Sequence, residues 1–132
     1  MASIGPVALK IRLKGDQAFV DVSYEISFDS YDQKSNQAYV EVCRLVGDDT
    51  NTGDPPGTDT TLGFLTPLFV TSTAANGKPT LKRTWKKTFR KTDLDEDRGT
   101  VPNPDEIRAA VSLTPVQPSA ATAESNMVAL KI

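Results

Sequence analysis

The chain has 132 residues, enough for one domain spanning 1–132, with 38% hydrophobic residues, 24% charged residues and a net charge of −2. It holds no histidine and a single cysteine, Cys43. Together these exclude Ser-His-Asp and Cys-His catalysis, histidine metal ligation, an internal disulfide and four-thiolate zinc sites.

Read in chain order, the sequence alternates apolar and polar residues and lacks long stretches of helical period. Met1 to Pro6 have neither the basic nor the apolar region of an export signal, so no signal peptide is expected, and a place in the cytoplasm or in an assembly is favoured. No apolar run approaches the ~18 residues of a membrane helix, so no membrane partner is expected. Val7, Leu9, Ile11 and Leu13 alternate with polar neighbours as a first strand. Gly15 and Asp16 form a tight connection to the clearest strand, where Val20, Val22, Tyr24, Ile26 and Phe28 point one way. Asp21, Ser23, Glu25, Ser27 and Asp29 point the other way.

A third strand covers Ala38 to Val46, with Val40 and Val42 expected in the core, although Tyr39, Cys43 and Leu45 hold the opposite parity. Gly47 to Thr60 reads as a polar surface loop. Leu62 to Thr71 is apolar but broken by Pro67, as suits an edge strand or a bulge. Asn76-Gly77 marks a turn. A strand from Thr80 to Lys91 carries Leu81, Trp85 and Phe89 inward. After an acidic, proline-rich connection from Asp93 to Asp105, Ile107, Ala109, Val111 and Leu113 define a sixth strand. Pro115 to Glu124 is expected as a loop, and Met127 to Ile132 as a seventh strand.

Seven short strands separated by turn signals predict an all-β fold, an antiparallel two-sheet sandwich or a small barrel. The layout resembles the immunoglobulin and fibronectin type III class, with strands in the order A, B, C, an edge strand, E, F and G. That resemblance is architectural and implies no activity. It does imply a sheet in which strand B lies between A and E.

Charge is unevenly distributed. Lys78, Lys82, Arg83, Lys86, Lys87, Arg90 and Lys91 fall in one window without an acid, whereas residues 16–59 carry ten acids and two bases. One reading is structural. In an A-B-E sheet the acids of strand B face Lys10 and Arg12 on one side and Lys82, Lys86 and Arg90 on the other, and opposite-charge pairs across strands stabilise. The other reading is a polyanion site for nucleic acid or a glycan. Arg83 and Lys87 share the inward parity of Trp85, so they are expected to be left unpaired, and together with Lys91 they are the polyanion-binding candidates.

The acidic loop offers a third possibility. Asp93, Asp95, Asp97 and Glu106 are candidate calcium ligands, because calcium takes six to eight oxygens. Arg98 stands where an EF-hand loop requires glycine, so that motif is rejected. No G-x-x-x-x-G-K phosphate loop occurs and nothing marks a carboxylate-lined cleft, so no enzyme activity and no resident cofactor are expected. The chain is therefore expected to be a non-catalytic protein-interaction or structural module. The apolar edge from Leu62 to Val70 is its expected surface for a protein partner or for self-association into a homo-oligomer.

Overall fold

A computed structural model describes residues 1–47, 60–72, 78–94, 105–116 and 121–131. The strands among them are β1 (Ser3–Ile4), β2 (Ala8–Lys14), β3 (Gln17–Ser27), β4 (Ala38–Gly47), β5 (Thr60–Phe64), β6 (Phe69–Ser72), β7 (Thr80–Arg90), β8 (Asp105–Pro115), β9 (Ala121–Glu124) and β10 (Val128–Leu130). One helix, α1 (Ser30–Ser35), and a 3-10 turn at Lys91–Leu94 complete the description. No helix among the described residues is long and apolar enough to cross a membrane.

The strands form two antiparallel sheets, consistent with an all-β sandwich. In the first, β3 is central, with β1 and β2 on one side and β7 on the other. In the second, β4 pairs with β8. β5 and β6 follow each other along the free side of β4, and β9 and β10 do the same along β8. The expected A-B-E sheet is thus present as β2-β3-β7. Its register runs unbroken from Gln17↔Arg90 to Ser27↔Thr80.

Local sequence explains the hairpin at its head. Lys14 pairs with Gln17 around a two-residue loop in which Gly15 takes φ +59°. A positive φ at the first central residue alone is the type II′ pattern, whose twist matches that of the strands and which glycine adopts without steric cost. Beyond the hairpin, β3 alternates as expected. Val20, Val22, Tyr24, Ile26 and Phe28 are all buried, and Ile107, Ala109, Val111 and Leu113 of β8 meet them from the other sheet.

β4 faces the opposite way from the sequence expectation. Tyr39, Glu41, Cys43 and Leu45 are buried, while Val40 and Val42 lie on the outward face and are only half-buried. Two forces decide this. Tyr39 and Leu45 bring more apolar surface into the core than two valines would. Glu41, which would otherwise veto this orientation, has a dedicated partner inside (below).

The helix α1 was not expected, and Asp29 belongs to its start and not to the strand face. Asp29 is the N-cap: its side chain accepts from the Asp32 backbone N–H at 2.8 Å, while Asp32 accepts from the Asp29 N–H at 3.1 Å. This reciprocal box starts the helix, and Asn36 in the left-handed conformation (φ 52°) ends it. Six residues are too few to display a helical period. Ala121–Glu124, expected as loop, instead pairs with β8 as β9. The loop at 48–59, the Asn76-Gly77 turn and most of the 93–105 connection lie outside the described residues.

β5 and β6 are two halves of one edge strand, both antiparallel to β4. Leu65 N–H still donates to the Cys43 carbonyl at 2.9 Å, and then Thr66-Pro67-Leu68 leave the ladder. Pro67 has no N–H to contribute, so the break falls where the sequence places it. Gly63 in β5 is packed so closely that a Cβ there would lie 2.6 Å from the Phe89 ring. That close approach draws Phe89 into the core. Leu81 and Trp85 pack against the core from the same strand, as expected.

Candidate functional site

Three surfaces or clusters carry chemistry, and the basic strand β7 connects two of them. No bulge interrupts its ladder, so Leu81, Arg83, Trp85, Lys87 and Phe89 share the inward parity. Lys82, Thr84, Lys86, Thr88 and Arg90 point outward and are exposed.

Arg83 is not unpaired, contrary to the sequence expectation. Its Nη2 and Nε reach Glu41 at 3.0 Å and 3.1 Å, and Nη2 also donates to Thr71 Oγ1 at 3.0 Å. Glu41 has no exposure, and the Arg83 side chain retains 20%. The guanidinium lies 5.1 Å from the Phe69 ring centroid and 5.7 Å from that of Trp85. Glu41 also accepts from Tyr24 Oη at 2.5 Å, and Trp85 Nε1 donates to that same Oη at 2.9 Å. Burial and the hydrogen bond to Glu41 hold the Tyr24 hydroxyl far above its ordinary pKa, so it stays a neutral donor. Burial likewise pushes the Cys43 thiol up to about 12, which makes it an inert core group and not a nucleophile. Buried arginine-carboxylate pairs are missed by sequence reading because parity alone predicts only an unpaired inward cation. The available signal was the equal misplacement of Glu41 on the facing strand.

Lys87 is not left unpaired either, although it stays at the sheet margin. It is exposed, its Nζ donates to the Phe64 carbonyl at 2.8 Å, and it lies 5.2 Å from the Phe89 ring centroid. Lys91 starts the 3-10 turn, with its N–H bonded to the Asp16 carbonyl at 2.7 Å. Of the three polyanion candidates, Arg83 is thus turned inward onto Glu41, while Lys87 is exposed. Of the calcium candidates, Asp93 lies 3.5 Å from Arg90 and Glu106 is on β8. Asp95 and Asp97 lie outside the described residues. Among the described residues no group of three or more Asp, Glu, Cys or His side chains is placed to hold a metal.

A second polar cluster anchors the N-terminal end. Fully buried Asp32 accepts from Tyr39 Oη, which itself accepts from the Ala2 N–H at 2.9 Å. Desolvation and Asp32 raise the Tyr39 hydroxyl to about 12.

The third feature is the outward face of the second sheet. Val40 and Val42 occupy positions on β4 where a solvent-facing strand would carry polar residues. Val40 is paired with Val70 of β6. Along the same edge, Phe64, Leu68 and Val70 are 50%, 66% and 63% exposed. The free edge of the first sheet differs, because β7 presents Lys82, Lys86 and Arg90 outward. The β2 edge is covered: Asn126 Oδ1 accepts from the Leu9 N–H at 2.9 Å, and Val7 bridges Ser125.

Compared with protein-family models, with curated proteins and with solved structures, the chain shows no match.

Proposed function

We propose that the chain is a non-catalytic protein-interaction or assembly module of the immunoglobulin/fibronectin type III-like sandwich class. It would associate with a second copy of itself through the β5/β6 edge and the adjoining outward face of β4. The class assignment is supported by strand order, A-B-E as β2-β3-β7, with the edge strand, C, F and G as β5/β6, β4, β8 and β10. The absence of histidine supports a non-catalytic role.

The observation that carries the interaction reading is the unequal treatment of β7 and β5/β6, the edges left open among the described residues. Exposed edges invite pairing, and proteins blunt them with charge. β7 is blunted by cations, whereas β5/β6 exposes Phe64, Leu68 and Val70. An edge strand pairing with its own copy about a two-fold axis presents the same patch to both subunits, so one apolar edge suffices for both halves of the interface. Analytical ultracentrifugation over a wide concentration range tests this. Dimer is expected, converting to monomer in Val70→Lys and Phe64→Lys. A chain that stays monomeric at the highest concentration overturns the reading.

A further inference from the structure

The outward face of the first sheet assembles charges that the sequence window 78–91 did not bring together. Cross-strand register sets Lys10, Asp21 and Lys86 in one row, Arg12, Phe19 and Thr88 in the next, and Lys14, Gln17 and Arg90 in the last. Lys82 faces Glu25 further along. Six cations thus share this face with two acids, in a chain whose net charge is −2. Internal pairing accounts for part of this excess. Asp21 sits between two lysines, with Lys86 Nζ 3.9 Å away. Arg12, Lys14 and Arg90 have no acid opposite them on β3. Arg90 approaches Asp93 at 3.5 Å, but with 80% and 43% exposure that pair is strongly screened.

The same face has shape and an aromatic group. A groove of about 470 Å³ runs past Lys10, Arg12, Phe19, Lys86 and Thr88. A smaller one of about 250 Å³ adjoins it and adds the hydroxyls of Ser23 and Thr84. Phe19 is an outward aromatic, with the Arg12 guanidinium 4.9 Å from its ring centroid. Asp21 lines both grooves, where its charge is met by Lys86.

We propose that this outward β2-β3-β7 face binds single-stranded nucleic acid, DNA or RNA. The inference does not rest on the assembly reading, which uses the other sheet. Lysines, arginines and threonines supply phosphate contacts, and the Arg12–Phe19 pair supplies a plane on which a base can stack. The Arg12–Phe19 plane, which a base can cover and a phosphate or sulfate group alone does not use, favours nucleic acid over a sulfated glycan. A duplex is disfavoured, because no helix or ribbon among the described residues projects from this face to enter a groove.

The test is fluorescence anisotropy with labelled oligothymidylate and oligouridylate across a salt series, the two probes separating DNA from RNA. The triple variant Lys10→Gln, Arg12→Gln, Lys86→Gln is expected to weaken binding roughly tenfold or more and to flatten the slope of log K against log salt by about two. Phe19→Leu is expected to weaken binding without changing that slope. Lys34→Gln, on α1 and away from this face, is expected to leave both unchanged. All of these side chains except Phe19 are exposed, and circular dichroism verifies folding. No binding of either probe at low salt overturns the proposal, as does binding that the triple variant leaves intact. Retention on heparin without oligonucleotide binding also overturns it, by assigning the face to a sulfated glycan.

Discussion

Strand β7 meets an acid on each of its faces, and the two meetings differ in kind. Outside, Lys86 lies 3.9 Å from Asp21, with 74% and 44% of the side chains exposed. Inside, Arg83 grips Glu41 at 3.0 Å with a fully buried carboxylate. Water screens the outer pair and lets both partners move, so it is weak and replaceable. The inner pair exists because Glu41 could not be buried without it. Its carboxylate also takes the Tyr24 hydroxyl, and the Arg83 guanidinium also takes Thr71 and lies near two rings. The same residue chemistry is therefore adjustable decoration on one face and an obligatory tie between the two sheets on the other.

Breaking the inner tie should have the largest effect. Arg83→Ala is expected to destabilise the fold by about 3–5 kcal/mol, because it strands a buried charge. Replacing both partners with apolar residues of similar size, Glu41→Leu with Arg83→Met, should recover most of that loss, since the desolvation cost goes with the charges. Urea denaturation of the two variants checks the ordering. A double variant no more stable than Arg83→Ala would show that the ion pair has a net stabilising role beyond mutual neutralisation.

Next in size is Tyr24→Phe. It removes the bond to Glu41 and leaves the Trp85 N–H without its acceptor, so a loss of about 1–3 kcal/mol is expected. Two buried neutral groups, one in each polar cluster's neighbourhood, also set an alkaline limit. Cys43 and Tyr39 both have folded pKa values of about 12, against ordinary values of 9.0 and 10.0. Below the ordinary values both groups are protonated in either state, and their contribution is fully present. Above them the unfolded chain ionises first, so stability falls as pH rises toward 12. Denaturation curves should therefore lose stability from about pH 9 upward. The Cys43→Ala variant should show a shallower decline, whatever its stability at neutral pH.

Much of this comparison was legible in the sequence, and the failures have a common cause. Alternation in 17–28 and 107–113 placed the central strands, because each has one apolar face and one polar face. Gly15 placed the hairpin and Pro67 the break in the edge. That acids of β3 face cations on β2 and β7 followed from spacing together with the A-B-E order that the resemblance implies, and the register has it so for Asp21 and Glu25. β4 could not be read this way. Both of its faces are largely apolar, so period-two alternation assigns neither, and its one buried acid is explicable only through a cation 42 residues away. The expectation for Arg83 failed for the same reason: it looked available because its partner lies on a strand of the other sheet. The A-B-E order already put Lys10, Arg12 and Lys86 on one face, but the rows they form with Asp21 and Phe19 needed the register.

The smallest expected effect sharpens the comparison most. Asp21→Asn removes the outer acid between Lys10 and Lys86 while keeping its shape. A loss of only ~0.2–1 kcal/mol is expected, shrinking as salt rises, because exposed cross-strand pairs contribute little and are screened. If the variant instead costs as much as Tyr24→Phe, the outer row is a structural tie after all, and its lysines are committed to the sheet. A near-neutral result leaves Lys10 and Lys86 free to serve a ligand. The substitution would then also raise the positive excess of that face and tighten oligonucleotide binding. The stability of one exposed carboxylate variant thus decides whether the basic face is occupied by its own strand or open to a partner.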